Sequence, residues 1–342
     1  KHGITMAADS AVTVTGGNQK KIYNTANKIF TLSKHHPVGI MIYSTSTFMS
    51  IPWETIIKLY RKELGEKSFE TVEDYKNDFV NFLKLKSFYT NKESQLHNLK
   101  QFVFWNLNVL KDEIAKNLSD GKSEEELSIE FKENILEKVK GNVESLKDSK
   151  NILKDYEDYD LESFKKYADK GIKEVIGIIF EGIELTDEIK ELIVEQYFYH
   201  LRTDNFIGLE SGLVFGGFGE MEIYPSIVSI KVAEVIDDRL RYFNDSSDKI
   251  SDSNNGSIMP YAQTDVINMF IKGVDPQIDY TYLTVFEKLL NKYNGTLVDL
   301  LEVEKPDLAA KRKGLELSLI TKEFRDELLK VQREKQIIPT VD

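Results

Sequence analysis

Helical periodicity interrupts strand patterning in this chain, and whatever it folds into must accommodate the interruption. Residues 1–65 open as short apolar runs bounded by turn residues. Residues 66–205 are helix-patterned, rich in Lys and Glu and poor in proline, and residues 206–342 return to strands and then to helices. By texture the chain therefore reads as three parts: 1–65, 66–205 and 206–342.

The patterning is specific at both ends. Ile4–Ala8 alternates like a strand, a Thr/Val stretch runs to Thr15, and Gly16-Gly17-Asn18 signals a turn. Lys28–Leu32 and Val38–Tyr43 are short apolar runs of the kind buried in sheets. Phe48, Ile51, Ile56, Leu59 and Tyr60 then fall near one face of a helix ending at Leu64, with Gly65 as its stop. In the middle, Leu96, Leu99, Val103, Leu107, Leu110 and Ile114 recur at three- and four-residue steps, an amphipathic helix, and Gly121 and Gly141 punctuate the segment. Asp155–Asp160 lacks the glycine and spacing of a calcium loop and reads as a solvated link between helices. Beyond it, Ser211–Gly219 is a glycine-laced strand, Ile227–Val235 alternates with Arg239–Phe243 as its hairpin partner, and Asp245–Asn255 reads as a loop. Helices are expected over Val266–Ile271 (capped by Thr264 or Asp265), Tyr282–Tyr293 and Leu315–Glu334, and Ile337–Asp342 looks like a strand beginning. Both termini read as the middle of something, so residues are expected upstream and downstream.

With 342 residues, 41% hydrophobic, there is material for a sizeable core. Lys+Arg 45 against Asp+Glu 57 leaves a formal charge of −12, which disfavours a grip on phosphate backbones; Lys20-Lys21 and Lys311-Arg312-Lys313 are too short to reverse that. The chain contains no cysteine. Disulfides, thiolate metal sites and an internal Cys nucleophile are excluded, and a reducing, cytoplasmic setting is expected. Val38–Tyr43 and Val175–Phe180, the longest apolar runs, fall far below the ~20 residues of a membrane helix, so no membrane partner is expected.

Familiar catalytic signatures are missing: no HExxH, no Walker A loop and no G-x-S-x-G. The glycines of 212–219 do not fit a dinucleotide fingerprint and mark close backbone packing instead. His35-His36 sits in a turn where adjacent side chains diverge, and His97 and His200 fall in helical segments, so none reads as a metal ligand.

The first fifty residues carry the chemistry. Gly3-Ile4-Thr5-Met6-Ala7-Ala8-Asp9-Ser10 ends a strand in an acid, Asn27-Lys28-Ile29-Phe30 opens the next, and Val38–Thr45 ends in small polar residues. In this order and spacing they resemble the N-terminal part of proteasome-type β-subunits and related bacterial ring peptidases, members of the N-terminal-nucleophile (Ntn) hydrolase superfamily. The likeness covers 1–64, returns over 211–272 and is absent over 66–205. It implies a four-layer αββα sandwich (α+β) whose two parts are 1–65 and 206–342, with 66–205 as a large helical insertion, hydrolysis of peptide amide bonds without metal or organic cofactor, and assembly into homo-oligomeric rings; an ATPase partner is left open. Matched residue by residue, Asp9 is the family's buried acid, Lys28 its catalytic-site lysine, and Ser44 and Thr45 the segment whose N–H groups form the oxyanion hole. Ser44 stands where the family commonly has glycine. Polar residues around Ser257, Gln263, Thr264 and Asp265 match the family's supporting loop only loosely.

Physical chemistry supports the group independently. A lysine held by a carboxylate lowers the proton affinity of a neighbouring hydroxyl or amine, and N–H groups at a strand corner suit a tetrahedral oxyanion. The family's nucleophile is the first residue of the mature chain, usually threonine, whose own amine, with a normal pKa near ~8, serves as base. Lys1 has no hydroxyl, and Thr5, Thr13 and Thr15 have acylated amines, so the chain as written is expected to be inactive. The alternatives are a non-catalytic scaffold of the same fold whose helical insertion binds a protein, and a mainly helical interaction protein.

Overall fold

A computed structural model describes residues 3–9, 12–16, 19–23, 27–85, 91–119, 121–206, 210–251, 256–262 and 275–304, with the single positions 267, 269 and 273. The chain is mixed α/β, and its packing divides it into two units, Lys1–Ser257 and Ile258–Asp342.

The first unit is organised by a five-stranded antiparallel sheet. A hairpin of β1 (Val12–Gly16) and β2 (Gln19–Tyr23) stands apart from it. The sheet itself takes β3 (Ile29–Thr31) and β4 (Val38–Ser44), and a two-stranded ribbon follows, β5 (Thr47–Phe48) with β6 (Ile51–Pro52). After the helices come β7 (Ser211–Gly217), β8 (Ser226–Ile236) and β9 (Arg239–Lys249), giving the order β3-β4-β7-β8-β9. The segments before and after the helices therefore meet at the β4–β7 ladder, with Val38 opposite Gly217 and Ser44 opposite Ser211.

Alternation assigns the faces. Ile40, Ile42, Leu213, Phe215, Val228 and Ile230 are buried in one cluster with α1 (Trp53–Leu64) and α2 (Val72–Leu85). Trp53, Phe79 and Phe215 stack through this layer, Phe79 edge-on to Phe215 at 5.5 Å. The opposite face is floored by glycine. A Cβ on Gly216 would come within 2.6 Å of both Ile4 and Met6, and one on Gly212 within 1.9 Å of the Tyr43 ring. Gly3–Asp9 therefore lies across that second face, although it joins no ladder as Ile4–Ala8 was expected to; Ile4 and Met6 alternate with exposed neighbours and bury against glycine instead.

The remaining helices form a body of their own. Helices α3 (Lys92–Lys116), α4 (Glu124–Lys147), α5 (Leu161–Ile179) and α6 (Asp187–Leu201) share a second buried cluster, while α2 belongs to the sheet. Caps define their starts: Asn91 accepts from Ser94 N–H, Ser123 and Glu126 form a reciprocal capping box, and Asp160 and Thr186 cap α5 and α6. Gly141 does not break its helix; α4 runs through it, at the ~1 kcal/mol an interior glycine costs.

The β8–β9 turn docks into this helical body. Asp237 and Asp238 have φ of 48° and 61°, a two-residue hairpin turn of the left-handed type that Asp tolerates. Gln95, fully buried on α3, donates to Asp238 Oδ1 and accepts from its N–H, each at 2.8 Å. Tyr159 donates to Asp237 at 2.8 Å. Asp155–Asp160 is consequently solvated only at its acids, of which Glu157, Asp158 and Asp160 are exposed. Tyr156 and Tyr159 are buried, and Arg239 ties the acids at Asp158 to the hairpin. Two further expectations are corrected. Phe48 and Ile51 lie on the β5–β6 ribbon rather than on α1, and Asp245–Lys249 continues β9 rather than opening a loop. Pairing with β8 overrides the weak strand propensity of that polar stretch, and the polar Asn244 is matched by the buried Lys76 on α2 at 3.0 Å.

In the second unit a long helix, α7 (Pro276–Glu304), contains the expected Tyr282–Tyr293 helix, and Asp275 accepts from its first N–H groups. Gln263, Thr264, Asp265, Leu315–Glu334 and Ile337–Asp342 lie outside the described residues, as does most of Val266–Ile271. No helix among the described residues is long and apolar enough to cross a membrane.

Candidate functional site

The site is built where β3 begins and β4 ends. Ile42 donates its N–H to the Lys28 carbonyl at 2.8 Å, continuing the β3–β4 register in which Ile29 faces Met41. Lys28 is thus two positions along from Ser44, roughly 7 Å of strand. The N-terminal segment arrives over the sheet, anchored by Ile4 and Met6 on the glycine floor, and delivers Asp9 to the same end. Lys28 Nζ lies 2.5 Å from Asp9 Oδ1. The lysine side chain is 20% exposed and the aspartate 71%, so Asp9 is not the buried acid that the resemblance implies: it lies on a segment that joins no ladder and stays open to solvent. An ion pair that open on one side contributes well under ~1 kcal/mol to folding; its consequence is positional, fixing one ammonium at the strand end.

Ser44 and Thr45 form the corner after β4. Ser44 has φ of 67°, left-handed backbone that glycine would adopt without strain. Thr45 donates its N–H to the Glu210 carbonyl over 3.4 Å, a long bond. Beneath the corner, fully buried Trp53 donates Nε1–H to Ser211 Oγ at 2.8 Å, and Ser211 in turn donates to the Thr45 carbonyl at 2.9 Å. This relay spans α1, β7 and the corner, so the backbone of Thr45 is held from both sides. One Glu210 carboxylate oxygen is buried beside it with no partner among the described residues.

Farther along the glycine-floored face, Tyr43 crosses Gly212 and donates to Asp245 at 3.3 Å, while Ser229, fully buried, contacts the same carboxylate at 3.4 Å and Ser246 Oγ at 2.7 Å. Of the residues singled out in sequence, Asp9 and Lys28 are in contact, and Ser44 and Thr45 lie at the same end of the same strand pair. Ser211, Trp53 and Glu210 carry no motif. Only the register of β4 against β7, a pairing across the whole helical insertion, brings them to the corner. No group of His, Cys, Asp and Glu among the described residues could hold a metal ion. No protein-family model matches the chain, and no curated protein or solved structure matches it.

Proposed function

We propose that this chain is the body of a proteasome-like Ntn hydrolase that cleaves peptide amide bonds. The observation that carries the reading is the Lys28–Asp9 pair, 2.5 Å apart, delivered by two segments that sequence alone matched to one site. In this reading the second, glycine-floored face of the sheet stacks against a further sheet, completing a four-layer sandwich. One face is taken by α1 and α2, and the other already buries Val214 and receives Ile4 and Met6.

The chemistry is acyl transfer by a Thr or Ser exposed at the mature N-terminus ahead of Lys1. Its hydroxyl oxygen forms a bond to the amide carbonyl as its own α-amine takes the proton. The tetrahedral oxyanion collapses, the C–N bond breaks, and the leaving amine takes that proton back. Water then hydrolyses the ester, restoring the hydroxyl. Lys28 favours the deprotonated nucleophile by its charge, Asp9 positions Lys28, and the N–H groups of Ser44 and Thr45 face the oxyanion, Thr45 exchanging its long bond to Glu210 for a shorter charge-assisted one.

That same Thr45–Glu210 bond favours a second reading, a non-catalytic scaffold of this fold in which the corner is purely structural. One experiment separates them. The natural N-terminus is read by mass spectrometry, and the protein is treated with a β-lactone that acylates activated hydroxyls, alongside Lys28→Ala. Hydrolase action predicts acylation of an N-terminal Thr or Ser that slows about 100-fold or more in the variant, in the range expected for loss of a group that activates the nucleophile. No acylation, or acylation at an unchanged rate, leaves the scaffold.

A further inference from the structure

The helical body contains a cleft that the proposed chemistry does not use. Helix α3 packs on α5, α5 on α6 and α6 on α4, while α3 and α4 touch less closely. Between them opens a cavity of about 310 Å³ floored by α6. That volume is at the lower end of those that receive small ligands.

Its lining has a distinct chemistry. The carboxamides of Asn106, Asn142, Gln196 and Asn205 come from three helices and the loop after α6. Asn142 donates to Gln196 Oε1 at 3.2 Å and Asn106 donates to the Phe102 carbonyl at 2.8 Å. Among the described residues this leaves Asn142 Oδ1 and Asn106 Oδ1 as acceptors and Gln196 Nε2 as a donor without protein partners. A carboxamide offers one acceptor and one donor side by side, the complement of a backbone peptide group. Glu113 and Lys138 are the ionised residues of the lining, and they neutralise each other across the cleft at 2.8 Å. His200 in the floor is buried, its Nε2 without a partner. An ionic ligand would find no net charge here.

The exposed rim is mostly polar (Glu113, Lys138, Ser145 and Asn205), with Val109 as its apolar residue and Trp105 outside the lining. Val109 in the wall is 66% exposed, and Trp105, one turn earlier on α3, is also 66% exposed. From Phe102 to Glu113 the cleft follows α3 for roughly 16 Å, the span of about five residues of extended chain. We infer that this cleft binds a short, uncharged, extended peptide segment, its backbone read by the carboxamides and one apolar side chain resting on Val109 and Trp105. The inference stands apart from the hydrolase reading, since neither Lys28 nor the Ser44–Thr45 corner takes part in it.

The full chain is titrated with a pool of capped pentapeptides, N-acetyl-Ala-Xaa-Xaa-Xaa-Ala-amide, with Xaa drawn from Gly, Ala, Ser, Asn, Gln, Val and Leu. Trp53 is buried and the chain has two tryptophans, so a change in fluorescence reports on Trp105. A blue shift that saturates, with affinity weakened at least tenfold in Asn142→Ala/Gln196→Ala, supports the inference. Val109→Lys, an exposed change that leaves the core untouched, should weaken it as strongly and guards against misfolding of the double variant. No saturable shift, equal affinity in both variants, or displacement of the signal by chitotriose rather than peptide overturns it, the last by making the cleft a carbohydrate site.

Discussion

His200 should make the fold acid-sensitive in a defined window. Its ring is 6% exposed, lies 5.2 Å from Phe102, and has no partner for Nε2 among the described residues. Burial, and secondarily the Arg241 guanidinium, push its pKa from 6.5 down to about 4. Arg241 is itself buried and tied to Glu234 at 2.7 Å and to the Leu201 carbonyl at 3.0 Å, so it cannot move away. The unfolded chain takes up a proton near pH 6.5 and the folded chain does so only near pH 4. Between those values unfolding binds protons, and stability falls as pH falls; below about 4 the loss is complete. The gap between the two pKa values sets that loss at about 3 kcal/mol, of which roughly 2 kcal/mol falls between pH 7 and pH 5. Urea unfolding of the parent chain and of His200→Phe at both pH values isolates it. Phenylalanine keeps the contact with Phe102, removes the unpartnered nitrogen and does not titrate, so the variant should match or exceed the parent at pH 7. The parent should lose about 2 kcal/mol more than the variant on acidification. Equal losses would refute the assignment of a buried neutral imidazole.

Ser211→Ala should destabilise by about 1–3 kcal/mol, because it leaves the buried Trp53 Nε1–H unsatisfied along with the Thr45 carbonyl; a red-shifted Trp53 emission would report the loosened corner, and an unchanged Tm would contradict the relay. Ser44→Gly should be neutral or stabilise by up to about 1 kcal/mol, since φ of 67° strains serine and not glycine; denaturant midpoints decide it, and a clear loss of stability would count against the left-handed assignment. Gln95→Ala removes both hydrogen bonds to Asp238 from a fully buried position and should cost about 2 kcal/mol, with hydrogen exchange accelerating at the β8–β9 turn rather than at β4.

Much of this architecture was legible because strands and amphipathic helices write their period into sequence. β4, β7, β8 and α3 follow from Val38–Tyr43, Ser211–Gly219, Ile227–Val235 and the leucine ladder of 96–114. The Asp9–Lys28 encounter was legible too, as two matched segments. What escaped depends on long-range pairing. Asp245–Lys249 is polar enough to pass for a loop and becomes strand only because β8 supplies its ladder. Tyr156 and Tyr159, set among acids, looked solvated, yet the docking of the β8–β9 turn buries them. Ser211 falls at an ordinary strand start and Trp53 inside an apolar-patterned helix, and nothing local distinguishes them.

The position of the splice ties these points together. The described residues between Thr45 and Glu210 lie outside this sheet, which the chain re-enters at the Ser44–Ser211 pair, the last rung of the β4–β7 ladder. Closing so long an excursion costs only logarithmically more than closing a short one, so its length is a modest burden; holding its two ends in register is the harder requirement. Two sets of contacts meet that requirement, both at one end of the strands, since Ser211 pairs with Val232 and the β8–β9 turn lies just beyond it. The Trp53–Ser211–Thr45 relay and the Thr45–Glu210 bond hold the splice itself, and Gln95, Tyr159 and Arg239 hold the β8–β9 hairpin against the helices. The candidate site sits at the first of these, so its backbone geometry depends on the same hydrogen bonds that keep the inserted chain in register. A corner that must be rigid to close the sheet is also rigid enough to present fixed N–H groups. Under the proposed function that rigidity also serves the chemistry, at the strand end where β3 begins and β4 ends.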